Sequence, residues 1–80
     1  MIILMKLLEK NKDFLIYSYR YDEKNLDGKI KVNLKEPYDY EVIQESTDNR
    51  VGKIGTLKAI IKIIKSIKVG EIKEILNYQS

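Results

Sequence analysis

Histidine and cysteine are both missing from the 80-residue chain. Their absence removes the usual base of serine and cysteine hydrolases, the common zinc ligands and any disulfide. Hydroxyls remain at Ser18, Ser46, Ser66, Ser80, Thr47 and Thr56. A lysine or a carboxylate pair such as Asp39 and Glu41 would have to activate one of them. Acids at alternate strand positions more often form a solvated face, so no catalytic residue is assigned and no enzyme activity is expected. Glu23, Asn25, Asp27 and Gly28 fit the start of a calcium loop, but the closing bidentate Glu falls on Leu34. A hairpin turn explains these residues better, and neither a metal nor another cofactor is expected. Gly52-Lys53 runs into Ile54, which breaks any Walker-type phosphate loop.

Binding chemistry is better represented. Gly52-Lys53-Ile54-Gly55 is a GxxG ahead of an Ile-rich segment. It resembles the loop with which KH domains clamp a nucleic-acid backbone. Position 58, which that pattern wants apolar, is Lys. Lys58, Lys62 and Lys65 share one side of a helical wheel, with Lys53 at its entrance. They could form a phosphate rail or a membrane-surface contact, but the preferred reading is a core helix with its lysines outward. Tyr17, Tyr19 and Tyr21 align on one strand, and Tyr38 and Tyr40 on another. Such a set is core, a protein-binding face or a base-stacking platform.

Residues 14–21 (FLIYSYRY) are aromatic and β-branched, and predict a strand with Leu15, Tyr17, Tyr19 and Tyr21 on one face. Phe14, Ile16 and Ser18 fall on the other, so both faces start apolar. One face therefore needs a cover, from the N-terminal segment or from another chain. Leu7 and Leu8 read as a preceding strand or a short helix, with residues 11–13 as a turn. Asn25-Leu26-Asp27-Gly28 reads as a turn that uses Gly28 for positive φ. Ile30, Val32 and Leu34 alternate with Lys29, Lys31 and Asn33 in a strand that Glu36-Pro37 ends. A further strand spans 38–45. Leu57, Ile60, Ile61, Ile64 and Ile67 predict a helix over about 56–68, with Thr56 as N-cap and Gly70 as stop. Residues 71–79 fit a short helix or a last edge strand. The expected fold is α+β: a three- to five-stranded antiparallel meander with one amphipathic helix on one face, in a single domain over 1–80.

Net charge is +3, from 15 basic and 12 acidic residues, and only Arg20 and Arg50 are arginine. A dedicated nucleic-acid reader would use more of arginine's bidentate forks. The cationic excess lies after residue 50, with 6 basic and 2 acidic side chains. The 13 isoleucines and many lysines suit an AT-rich coding sequence. Residues 1–5 (MIILM) are too short for a signal peptide or a membrane span. A cytoplasmic location is expected. A chain this size buries about 60% of its unfolded surface, so oligomerisation would help it.

FLIYSY, GKIKV, YEVI, the Asp48…Gly52 turn, Ala59 and Gly70-Glu71-Ile72 together resemble a group of small uncharacterised proteins of low-GC Gram-positive bacteria. The resemblance implies a strand after Gly70 and brings no activity. The functional expectation is a non-catalytic binding protein acting by protein–protein contact, with a separate partner protein or a second copy of itself (a homodimer). A regulator or phage-type inhibitor of a host nuclease, of the anti-CRISPR kind, fits that profile. The candidate contact residues are Tyr17, Tyr19, Tyr21, Tyr38 and Tyr40. The alternative is a single-stranded nucleic-acid (RNA) binder using Gly52, Lys53, Gly55, Lys58, Lys62 and Lys65.

Overall fold

A computed structural model of the chain describes residues 2–20, 28–36, 38–46 and 52–79. Tyr21, the Glu23-Asn25-Asp27 triplet, Pro37 and residues 47–51 lie outside the described residues. Five strands and one helix follow in order: β1 (Ile2–Lys10), β2 (Phe14–Arg20), β3 (Gly28–Asn33), β4 (Tyr40–Gln44), α1 (Gly52–Val69) and β5 (Ile75–Gln79). The strands form one antiparallel sheet in the order β4-β3-β2-β1-β5. The fold is α+β, with α1 packed on one face of the sheet.

Asparagine side chains set the turns. Asn11 Oδ1 accepts from the amides of Asp13 (2.8 Å) and Phe14 (2.9 Å), which folds β1 back into β2. Asn33 Oδ1 accepts from the amides of Lys35 (2.8 Å) and Glu36 (3.2 Å). That turn ends β3 at Asn33, ahead of the expected stop at Glu36-Pro37. The N-terminal residues are a strand, not a helix, and β1 carries a bulge between Leu7 and Glu9. Residues 75–79 are strand as well, hydrogen-bonded to β1.

Period-two alternation decides what is buried. Facing α1 are the cross-strand rows Leu76-Met5-Tyr19-Gly28, Leu7-Tyr17-Ile30-Val42 and Leu15-Val32-Tyr40. Their apolar members meet Ala59, Ile60, Ile63 and Ile64 of α1 in a single core. Gly28 is thus a strand residue opposite Tyr19, not the turn residue expected of Asp27-Gly28. α1 begins at Gly52, four residues before the expected cap, and Thr56 sits inside its second turn. There the Thr56 hydroxyl donates to the Gly52 carbonyl (3.0 Å), a back-bond along the helix rather than an N-cap. Gly70, with φ 74°, closes the helix as expected.

β4 and β5 lie on opposite edges and, being each antiparallel to the upward strands β3 and β1, run in the same direction. α1 carries the chain between them across one face of the sheet. No described element covers the other face. Among the described residues no helix is long and apolar enough to cross a membrane.

Candidate binding surface

Tyr17 and Tyr19 point toward α1 and are fully buried. This corrects the expectation that they form part of an accessible tyrosine face. A partner cannot reach them, because the parity that puts Leu15 in the core puts Tyr17 and Tyr19 there too. Their hydroxyls serve the fold. Tyr17 donates to the Lys73 carbonyl at 2.5 Å, and burial raises its pKa above the ordinary tyrosine value. Tyr19 lies 2.8 Å from Thr56 Oγ1 and accepts from the Ser46 amide at 3.2 Å. One proton arrangement serves this chain: Ser46 N–H to Tyr19, Tyr19 O–H to Thr56, Thr56 O–H to the Gly52 carbonyl. It ties the end of β4 and the start of α1 to β2.

Tyr38 and Tyr40 are exposed, at 71% and 41%. Lys68 Nζ stands 4.4 Å from the Tyr38 ring centroid and bonds its hydroxyl. Tyr40 lies on the α1 side of β4, in a depression shared with Lys53, Leu57 and Glu45. The described members of the candidate set, Tyr17, Tyr19, Tyr38 and Tyr40, therefore do not form one surface.

The alternative nucleic-acid set divides as well. Gly52-Lys53-Ile54-Gly55 is the first turn of α1, and Gly55 is buried. It is not a loop in front of a helix, so the backbone clamp expected of a GxxG is not formed here. Lys53 faces the β4 flank. Lys58, Lys62 and Lys65 face the β5 flank, where Lys58 Nζ is 5.9 Å from the Tyr78 ring. Lys62 and Lys65 border a trough with Asn77, Tyr78 and Gln79. The helical wheel grouped the three stripe lysines correctly, and Lys53, expected at their entrance, lies on the opposite flank of the helix.

The surface that stands out is the uncovered face of the sheet. Its rows are Asn77-Leu4-Arg20, Ile75-Lys6-Ser18-Lys29-Gln44 and Glu9-Ile16-Lys31-Glu41, with Phe14 opposite Asn33 beyond them. Leu4, Phe14 and Ile16 are only half-buried, and Ile2, Ile43 and Ile75 are exposed. Lys31 Nζ lies 4.4 Å from the Phe14 ring centroid. Four cations (Lys6, Arg20, Lys29, Lys31) stand in these rows against two acids (Glu9, Glu41). Ser18 sits low between Lys6 and Lys29, its hydroxyl donating to the Lys6 carbonyl at 3.3 Å. Phe14 and Ile16 signalled this face in the sequence. Of its cationic members, Lys29 and Lys31 were legible as the wet side of their own strand, whereas Lys6 and Arg20 join them only through the strand order.

Asp39 and Glu41 line a depression with Lys31 and Asn33, and among the described residues no hydroxyl side chain borders it. Among the described residues no three acidic side chains converge to hold a metal ion. No protein-family model matches the chain, and neither a curated protein nor a solved structure matches it.

Proposed function

We propose that the chain is a non-catalytic binding protein that acts by protein–protein contact through the open face of its sheet. The observation that carries this reading is the one-sided cover: α1 shields one face, while Leu4, Phe14 and Ile16 lie on the other with no described element over them. Leu4 on one side and Ile16 with Phe14 on the other flank the polar Lys6-Ser18-Lys29 row, and such a mix of apolar, charged and polar side chains is common at protein interfaces. The excess of lysine and arginine favours a partner with an acidic surface. A regulator or inhibitor that works by occupying its target, including a phage-borne inhibitor of a host nuclease, would use such a face. On a nuclease this face would suit an acidic region rather than a cationic nucleic-acid groove. A second copy of the chain is the other partner of the same class.

The test is photo-crosslinking in a producing cell, with a benzophenone side chain at position 16, 29 or 54. A discrete protein adduct from positions 16 and 29, absent from position 54, where Ile54 is exposed on the helix, supports the reading. Equal adducts from all three, or none, would refute it. An adduct of twice the chain mass identifies the second copy.

A further inference from the structure

We propose that the outer edge of β5, with the trough between β5 and α1, is a docking site for an acidic, extended segment of a partner protein, which adds to the sheet as a further strand. This goes beyond the open-face reading and stands without it.

The backbone comes first. The Leu7 amide donates to the Glu74 carbonyl at 2.7 Å, just ahead of β5. Antiparallel ladders alternate, so the bonded pairs that follow are Met5 with Leu76 and Ile3 with Tyr78. The amides and carbonyls of Ile75, Asn77 and Gln79 therefore point away from β1, toward the free edge. Proteins normally blunt such an edge with a charge, a proline or a bulge. β5 reads Ile-Leu-Asn-Tyr-Gln and pairs with β1 in unbroken register. β4, at the opposite edge, carries Glu41 and a register break beside Ile43. Only one of the two edges is protected.

The side chains then define the guest. Lys62 and Lys65 border the trough beside Asn77, Tyr78 and Gln79, and the adjoining depression adds Lys68 and Lys73, with Glu71 as the one acid among the described residues lining either. Side chains of an added strand alternate in direction. Those turned toward α1 would meet Lys62 and Lys65. Those turned the other way would lie beside Ile75, which is 64% exposed on the open face. An alternation of acidic and apolar residues satisfies both sides, as in other cases of strand addition. A second β5 would bring its own lysines against these, and β4 of a second copy would bring its register break. A nucleic acid has no amide–carbonyl ladder to match the edge.

The probe is a fluorescein-labelled Glu-Val-Glu-Val-Glu-Val-Glu peptide, followed by anisotropy against the full chain. Comparators are a blocked isomer (Glu-Glu-Glu-Glu-Val-Val-Val), a Lys-Val alternation and an oligouridylate. Asn77→Pro removes an outward amide without touching a bond to β1, and Asn77→Thr is its control. Expected is saturable binding of the alternating acidic peptide, weakened roughly tenfold by Asn77→Pro and by the double change Lys62→Glu/Lys65→Glu, but not by Asn77→Thr. No saturation at millimolar peptide, equal binding of the blocked isomer, or indifference to Asn77→Pro would overturn the proposal. Oligouridylate binding lost on the lysine changes and kept in Asn77→Pro would replace it with a phosphate rail. Concentration-dependent self-association that Asn77→Pro abolishes would make the guest a second copy instead. Circular dichroism of each variant confirms that the sheet is intact before its binding is read.

Discussion

Gly28 lies directly across the β2–β3 ladder from Tyr19, and the Tyr19 ring fills the space a side chain at position 28 would need. A Cβ built on Gly28 would come within 2.7 Å of three ring carbons. The ring cannot swing aside freely, because its hydroxyl is held by Thr56 and Ser46. Gly28→Ala should therefore destabilise the fold by about 1–3 kcal/mol, the usual range for overpacking. Thermal unfolding measures it, and a second change, Tyr19→Leu, should recover part of the loss. An unchanged melting temperature in Gly28→Ala would mean that the ring has room to move.

The hydroxyl chain through Tyr19 gives a separable prediction. Tyr19→Phe keeps the ring and removes the acceptor of the Ser46 amide and the donor to Thr56. The expected cost is about 1–3 kcal/mol by denaturant titration. Tyr19→Phe and Thr56→Val should be non-additive, since the two side chains share a bond. Strict additivity would show that they act independently.

Tyr17 gives a pH dependence. Burial raises its pKa in the folded state above the unfolded value. A raised pKa means that the folded state holds its proton more tightly, so the contribution is complete below the unfolded pKa of about 10 and falls as pH rises through the folded value. Wild type should lose more stability than Tyr17→Phe as pH rises above about 10, the ordinary tyrosine value. Parallel losses in the two proteins would assign the alkaline sensitivity to other groups.

The open face should tolerate change without loss of fold. Phe14→Ser with Ile16→Thr removes apolar surface outside the α1-side core and keeps strand-compatible residues. The expected stability change is modest, about 1 kcal/mol, while association through this face is lost. Sedimentation velocity over a wide concentration range checks both the dimer and its loss. A wild-type chain that stays monomeric at every concentration would remove the homodimer, and a discrete heterologous partner would then be required.

The stripe of Lys58, Lys62 and Lys65 separates the two classes of partner. Changing all three to Glu should leave the melting temperature nearly unmoved, because these side chains lie outside the buried core. Wild type should bind single-stranded RNA no more tightly than a non-specific cation surface. Tight, steeply salt-dependent binding lost in the triple variant would favour nucleic acid, with each lysine contributing roughly one unit of salt slope.

Much of the fold was legible because the alternation is clean where one face alone is buried. Ile30, Val32 and Leu34 separated from Lys29 and Lys31 on sight, and the sheet keeps that division. Phe14–Arg20 announced itself as central by being apolar on both sides at its start. The helix start was misplaced because Thr56 looks like a cap, while its hydroxyl in fact serves the interior with Tyr19. Gly28 looked like a turn residue because Asp-Gly so often is. Its true constraint comes from a ring nine positions earlier, which no local pattern reveals. The candidate surface was half legible. The apolar surplus at Phe14 and Ile16 follows from parity, but whether the tyrosines or these residues face outward depends on which side the helix takes. The cationic rows and the β5 edge depend on strand order, which local periodicity does not encode.

That strand order has a consequence for biosynthesis. β1 gains one neighbour, β2, almost as soon as it is made, but its other neighbour is β5, far along the chain. During translation the β1 edge must wait, bare, until the helix has been made and docked and residues 75–79 have emerged. Closure then depends on a contact between distant parts of the sequence, the kind that forms late and slowly. A nascent chain halted before residue 75 would expose both the β1 edge and the sheet's apolar centre. Stalled ribosomes carrying this chain should therefore be substrates for chaperones that recognise extended apolar segments.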